Sequence, residues 1–147
     1  MKWVTRKNAK VDRVACPWLI RRFVDPDAEF LYVPDREVLA VVEREGAIPY
    51  DVADVELGHV DGRCSFESIM LRYGISDPGL ERLARIVHGA DVAADLETVP
   101  EAAGLHAVAH GFALLHGDDD QEKIRLESPL YDALYAWCRR EAADAAG

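Results

Sequence analysis

Four side chains that could bind a metal ion lie close together around a tight turn. They are Glu56, His59, Cys64 and Glu67. Imidazole and carboxylate ligands together suit Zn, Fe or Mn, and an added thiolate shifts the preference towards Zn. A regular strand over residues 55–60 would point Glu56 and His59 to opposite faces, unless a bulge or turn intervenes at Gly58. His59 and Cys64 flank the Asp61-Gly62 turn, so they can approach each other across a hairpin.

A second pair of candidate ligands, His88 and Asp91, follows near the end of a predicted helix. Gly89 is expected to end that helix and to let Asp91 fold back over the imidazole of His88. Both side chains could then bind a metal together with His59. Alternatively, Asp91 only fixes the tautomer of His88, or His88 interacts with the helix C-terminus. The predicted metal ligands are therefore His59, Glu67, His88 and Asp91, with Zn, Fe or Mn as the ion.

Two further histidines, His106 and His110, are four residues apart on a predicted helix. This spacing places both imidazoles on one face of the helix. The segment reads His-Ala-Val-Ala-His, so it lacks the glutamate of the metalloprotease motif. The helix offers only Glu101 as a carboxylate. These observations favour a surface or interface pair over a pair of metal ligands.

Residues 11–23 place the thiol of Cys16 near a helix start and among arginines. A helix N-terminus and neighbouring cations both favour a thiolate, which could bind a metal or be oxidised by a reactive oxyanion. Cys16 and Cys64 are therefore the candidate redox or nucleophilic residues. Alternatively, Cys16 is a small buried side chain without reactivity.

The same segment contains the candidate ligands for an oxyanion, Arg13, Arg21 and Arg22. A planar guanidinium can hold two oxygens of a tetrahedral oxyanion. Adjacent residues point about 100° apart on a helix, so at most one of Arg21 and Arg22 can face a common pocket. In the alternative interpretation, one of them is solvated and the other pairs with Asp25 or Glu29.

The charge of the chain limits its partners. With 17 Lys and Arg against 27 Asp and Glu, the 147-residue chain has a net charge of −10. This balance opposes binding to a nucleic-acid backbone by this chain alone. Residues 1–24 carry +6 and the remainder −16, so a small anion is expected near the N-terminal segment.

Other function classes have no local signature. The sequence contains no GxGxxG, GxxxxGK[ST] or GxSxG motif, so no nucleotide cofactor and no serine hydrolase site is expected. No apolar run approaches the roughly 20 residues that span a bilayer, and the N-terminus lacks a signal region. Three widely spaced cysteines fit reduced thiols. We therefore expect a cytoplasmic protein without a membrane partner.

Hydrophobic patterning predicts the elements that must position these residues. Strands are predicted at residues 2–6, 29–33, 48–51 and 55–60, followed by a hairpin at Asp61-Gly62 leading into residues 63–65. A helix begins near Asp12 as N-cap, or at Pro17 with Cys16 as N-cap. Further helices are predicted at residues 34–45, 65–74, 77–89, 100–116 and 128–142. The pattern predicts one α+β domain over residues 1–142, with a small sheet of short strands packed under four or five helices, and a disordered tail at 143–147.

Four sequence blocks resemble the C-terminal domain of chromate-resistance proteins of the ChrB type. The blocks are WVTRKNAKVDRVACPWLIRRFVDPDAEFLYVP, VELGHVDGRCSFESIMLRYGI, LARIVHGADVA and LYDALYAWCR. The resemblance implies a bacterial protein associated with chromate resistance, often encoded beside a chromate efflux transporter. It further implies regulatory function in longer members that carry an additional N-terminal region, and related architectures that add a sulfurtransferase-like module. The matching positions of interest are Asp12, Arg13, Cys16, Arg21, Arg22, His59, Cys64, Glu67, His88 and Asp91.

These observations leave three hypotheses about function. The first is a metal-binding domain or metalloenzyme in which the predicted ligands leave one position open for water or substrate. The second is a sensor that binds chromate or a related dianion through Arg13 and one neighbouring arginine, with Cys16 as redox reporter. The third is an interaction domain that binds a partner or a second copy of itself. The first two can coexist in one pocket.

Overall fold

Three short parallel strands form the sheet of this protein, in the order β2-β1-β3. The computed structural model describes residues 1–147. The strands are β1 (Lys2–Arg6), β2 (Glu29–Val33) and β3 (Ile48–Pro49). Trp3 and Val4 of the central strand are fully buried, as expected where helices cover a parallel sheet. The sheet and its helices confirm the predicted α+β domain.

The prediction of a fourth strand at residues 55–60 is wrong. This stretch forms turns instead, and only an isolated antiparallel bridge between Val60 and Arg63 remains of the hairpin. The turn itself is confirmed, because Asp61 and Gly62 both have positive φ angles, 51° and 79°. Two consecutive positive φ values are typical of a type I′ turn.

Helix α1 (Asp12–Phe23) follows β1 and differs from both predicted starts. Asp12 is its first residue rather than its N-cap, and Cys16 lies inside it rather than capping it. Pro17 is also inside the helix and cannot donate to the carbonyl of Arg13. The hydroxyl of Tyr32 donates to that carbonyl instead, at 2.5 Å. The tertiary structure thus replaces the hydrogen bond that the proline removes.

Five further α-helices complete the domain. They are α2 (Val38–Glu45), α3 (Ser65–Arg72), α4 (Pro78–Asp91), α5 (Pro100–His116) and α6 (Asp120–Ala146). Two short 3₁₀ turns cover Asp35–Glu37 and Ala93–Asp95. Gly46 ends α2 in the left-handed conformation, as predicted, and Asp77 caps α4 by accepting from the Leu80 amide.

Helix α4 continues past Gly89, which was predicted to end it. A Cβ atom at Gly89 would lie 2.7 Å from the Cβ of Ala102, so the glycine permits close packing of α4 on α5. Its role is therefore packing rather than termination. The extension keeps Asp91 in regular helix, so the chain does not fold back over His88 as predicted.

Helix α6 begins eight residues earlier than the predicted start at Ser128. The Ser128-Pro129 pair resembles a helix start, since proline is favoured in the first turn, but Pro129 lies in the helix interior. The helix also continues through Ala146, into the segment predicted as a disordered tail. Helix α6 packs on α1 and α4, and no helix in the structure has the length and apolar character needed to cross a bilayer.

Candidate functional site

A cleft of about 780 Å³ opens beside the start of α1, the loop after β3 and the end of α4. Helix α5 contributes another part of its lining. Its charged and imidazole-bearing residues are Arg6, Lys10, Asp12, Arg13, Asp35, Asp51, Asp54, His59, Asp91, His106 and His110. The cleft therefore brings together acidic, basic and histidine side chains from distant parts of the chain.

Three carboxylates converge on one ring nitrogen of His59. Its Nε2 lies 3.1 Å from Asp91 Oδ2, 3.3 Å from Asp51 Oδ1 and 3.5 Å from Asp12 Oδ2. Potential ligand atoms of the four side chains lie within 4.8 Å of one another. Asp12 and Asp51 are buried, whereas the His59 side chain is 47% exposed. We call these four residues the His59 cluster.

Hydrogen bonds from neighbouring groups orient the Asp12 carboxylate. It accepts from the backbone amides of Ser65 and Phe66, at 2.7 and 3.2 Å. These amides belong to the first turn of α3, whose free N–H groups favour a negative charge. The side chain that begins α1 thereby binds the beginning of a second helix.

The other two carboxylates also have partners besides His59. Asp51 Oδ1 accepts from the hydroxyl of Ser65 at 2.7 Å, and its Oδ2 lies 3.4 Å from Arg13 Nε. Asp91 Oδ1 accepts from the backbone amide of Asp12 at 3.3 Å. Such supporting hydrogen bonds fix the direction in which potential ligands point.

The cluster binds protons strongly. Burial raises the pKa of Asp12 to about 7, with further raising by the charges of Asp51 and Asp91 and opposition from the His59 hydrogen bond. Hydrogen bonds to the three carboxylates raise the pKa of His59 to about 12. Protons therefore supply positive charge to the cluster at neutral pH. A bound cation would replace them, as occurs when metal binding releases protons.

A second, smaller cluster lies at the start of α3. His88 Nδ1 lies 2.6 Å from Glu67 Oε1, and its Nε2 lies 2.6 Å from Asp95 Oδ2. Glu67 Oε1 also accepts from the backbone amide of Cys64 at 2.9 Å. Burial lowers the pKa of His88, but the two carboxylates outweigh this effect and raise it overall. Both ring nitrogens of His88 therefore have a carboxylate partner, and these hydrogen bonds link α3, α4 and the following 3₁₀ turn.

The structure divides the four predicted metal ligands between these clusters. His59 and Asp91 are in the cleft, whereas Glu67 and His88 group with Cys64. His88 and Asp91 are three residues apart on α4 and have different partners: Asp91 contacts His59, whereas His88 contacts Glu67 and Asp95. Glu56, the other carboxylate near the turn, lies 3.2 Å from Arg72.

The three predicted oxyanion ligands also separate. Arg13 lines the cleft, but it donates to the carbonyls of Arg6 and Lys7 and contacts Asp51. Arg21 donates to the Ala28 carbonyl and lies over the Phe30 ring, whereas Arg22 pairs with Asp132 at 2.9 Å. Arg21 and Arg22 do not line the cleft.

The two candidate redox cysteines are fully buried. Burial raises the pKa of the Cys16 thiol, and the nearby charge of Asp12 raises it further. The thiol donates to Asp12 Oδ1 at 3.5 Å. Burial also raises the pKa of Cys64. Both residues are therefore thiols rather than thiolates, which corresponds to the alternative of an unreactive buried cysteine.

Asp51 was absent from the predicted site, and Asp12 was considered only as a helix cap and as a position matched by the family resemblance, not as a metal ligand. One feature of the sequence could have identified both residues: each follows a strand, Asp12 after β1 and Asp51 after β3. The carboxyl ends of parallel strands lie at one edge of a sheet, where binding sites are often formed. Recognising a parallel pairing of β1 and β3 would have placed both carboxylates together.

Comparisons with known proteins support the resemblance in sequence. The ChrB C-terminal domain family matches residues 3–138. Protein ChrB of Cupriavidus metallidurans is 40% identical over 111 residues, which cover 75% of this chain and 32% of that protein. The aligned region is therefore about a third of the relative's length. No solved structure matches the chain. The chain belongs to the ChrB C-terminal domain family.

Proposed function

We propose that the domain is a divalent-metal-binding domain associated with chromate resistance, with the His59 cluster as its metal site. The observation that carries the proposal is the convergence of Asp12, Asp51 and Asp91 on His59 Nε2. A divalent cation would compensate the three carboxylates better than one imidazolium does. The association with chromate comes from the family resemblance.

The dimensions of the cluster suit an ion. With metal–ligand bonds of about 2.1 Å, octahedral ligand atoms lie roughly 3.0 to 4.2 Å apart. Potential ligand atoms of the cluster fall within 4.8 Å of one another, so small side-chain movements would suffice. The exposed side of His59 leaves room for water or an anion to complete the coordination. Hydrogen bonds from neighbouring groups to each carboxylate limit the reorganisation that binding requires.

The ligand types favour Mn²⁺ or Fe²⁺. Three carboxylates and one imidazole form an oxygen-rich set, which suits Mn²⁺ and Fe²⁺ better than a thiolate-containing set would. Cys64, the residue that would shift the preference towards Zn²⁺, belongs to the other cluster. Zn²⁺ is the main competitor, because divalent affinities at N and O sites generally rise from Mn²⁺ through Fe²⁺ to Zn²⁺.

An oxyanion would bind after the metal. The cleft lining contains five aspartates but only three Lys and Arg side chains. Without a cation it would repel chromate, since like charges raise the energy of the bound state. A divalent ion offsets this excess and offers a positive centre near Arg13. We therefore propose that tetrahedral dianions bind to the metal-loaded cleft, with Arg6, Lys10 and Arg13 as the nearby cations.

The first test measures metal binding in protein purified without a histidine tag. The variants are Asp51→Asn and His59→Gln, each compared with His88→Gln from the second cluster. We expect Mn²⁺ affinity to fall on the order of tenfold or more in the first two, since even residues behind metal ligands affect affinity by 10–100-fold. His88→Gln should retain wild-type affinity. Wild-type affinity in both cleft variants would refute the proposed site.

The second test separates metal binding from anion binding. Thermal melts with chromate, sulfate or molybdate are compared with chloride at equal ionic strength, before and after metal removal. The anions should raise the melting temperature only of the metal-loaded protein, because a ligand that binds the folded state stabilises it. Equal stabilisation of both forms would contradict the order of binding, and no stabilisation of either would contradict the anion site.

A further inference from the structure

His106 and His110 lie on successive turns of α5 and both line the cleft. Their ring centroids are 3.9 Å apart, with an angle of 32° between the ring planes. Neither residue belongs to the His59 cluster. The cleft therefore contains a second concentration of imidazole groups, on a different helix.

The hydrogen bonds of these rings determine which nitrogen carries the proton. His106 Nδ1 lies 3.0 Å from the Ala90 carbonyl oxygen, and His110 Nδ1 lies 2.8 Å from the His106 carbonyl oxygen. A carbonyl can only accept, so each Nδ1 must donate. In the neutral rings the lone pair is then on Nε2. Neither Nε2 has a hydrogen-bond partner within the protein.

We propose that the Nε2 atoms of His106 and His110 bind a second divalent metal ion, of the class that prefers imidazole, such as Cu²⁺ or Zn²⁺. Metal-binding histidines usually donate the other ring N–H to a carbonyl or carboxylate, and both residues do so. Tetrahedral ligands with bonds of about 2.05 Å place two nitrogens roughly 3.3 Å apart. The ring centroids are 3.9 Å apart, so the two imidazoles are direct neighbours on one helix face, and binding requires the rings to rotate until both Nε2 atoms point at one ion.

The remaining ligands need not come from α5. From the sequence, a metal site was disfavoured because this helix offers only Glu101 as a carboxylate. In the structure, both histidines line a cleft with room for water molecules that could complete the coordination. The hydrogen bond to Ala90 also joins His106 to the residue beside Asp91. The two metal positions thus share the end of α4 as a common support. Their ligand types differ, so they should select different ions.

The test uses tag-free protein in which Asp51→Asn removes a ligand of the His59 cluster. Cu²⁺ and Zn²⁺ are titrated by calorimetry into this background and into the same protein carrying His106→Gln with His110→Gln. We expect the double substitution to weaken binding on the order of tenfold or more. His116→Gln is the matched control, since His116 is on the same helix and stacks on Phe112.

Electron paramagnetic resonance of the Cu²⁺ complex provides an independent measurement. We expect coupling to two imidazole nitrogens, and to one after either single substitution. Unchanged Cu²⁺ affinity in the double variant would overturn the proposal. So would a Cu²⁺ spectrum without nitrogen coupling, or an equal loss of affinity in the His116→Gln control. Retention of Mn²⁺ by the double variant in an otherwise wild-type chain distinguishes this site from the His59 cluster.

Discussion

Replacing Glu127 by glutamine should remove a large part of the pH dependence of stability. Glu127 on α6 is fully buried, and neither of its carboxylate oxygens has a hydrogen-bond partner. Burial raises its pKa from 4.5 to about 8, although the charge of Lys123 opposes this shift. The folded protein therefore prefers the protonated carboxyl, whereas the unfolded chain ionises it near pH 4.5. Stability due to this group is complete at low pH and is lost between pH 4.5 and 8.

The size of the effect follows from the two pKa values. One pKa unit corresponds to about 1.36 kcal/mol, so the whole shift corresponds to about 5 kcal/mol. Between pH 5 and pH 7 the wild-type protein should lose about 2–3 kcal/mol through this carboxyl alone. Glutamine has nearly the same shape and cannot ionise. The Glu127→Gln variant should lack this loss while retaining the pH dependence of all other groups.

The assay is urea unfolding of both proteins at pH 5, 6 and 7, and the quantity of interest is the difference between their unfolding free energies. The variant should gain about 2–3 kcal/mol relative to wild type over this range. Glu141→Gln serves as the control, because Glu141 lies on the same helix but is accessible to solvent. Parallel pH profiles for wild type and Glu127→Gln would refute the reasoning.

Two further substitutions test buried contacts of the fold. Lys123→Met leaves the buried Asp120 without the ammonium 2.9 Å away, and it should lower the unfolding free energy by about 3–5 kcal/mol in urea at pH 7. A loss below about 1 kcal/mol would show that this ion pair contributes no more to stability than a surface pair, contrary to the expectation for a buried one. Gly89→Ala forces a Cβ against Ala102 and should cost about 1–3 kcal/mol in the same assay. Gly104→Ala, where a Cβ meets open space, should not destabilise; equal losses would show that the contact is unimportant.

Local signals in the sequence predicted several elements correctly. Helix α5 has the predicted bounds, and Gly46 and Asp77 end and begin their helices as expected. The Asp61-Gly62 turn is also confirmed. These features depend on interactions within a few residues, including caps, left-handed glycines and hydrogen bonds along the helix. Such interactions do not depend on contacts with distant parts of the chain, so the local sequence is enough to predict them.

Features that depend on distant contacts were not predictable in the same way. Pro17 is accommodated in α1 because Tyr32 supplies a hydroxyl to the carbonyl that proline leaves free. Gly89 resembles a helix end, but its function is to admit Ala102 from the next helix. In each case the identity of the partner residue decides the local structure. Nothing in the neighbouring sequence specifies that partner.

The candidate site was likewise predictable only in part from the sequence. His59 and Asp91 were selected from the sequence as possible ligands, because imidazole and carboxylate groups have suitable chemistry wherever they lie. The tertiary structure decided that Asp12 and Asp51 join them, while Glu67 and His88 group elsewhere. Residue type determines what a side chain can bind. Which side chains meet in one cluster depends on the parallel sheet and on α1, α3 and α4, whose packing brings residues 12, 51, 59 and 91 to one cleft.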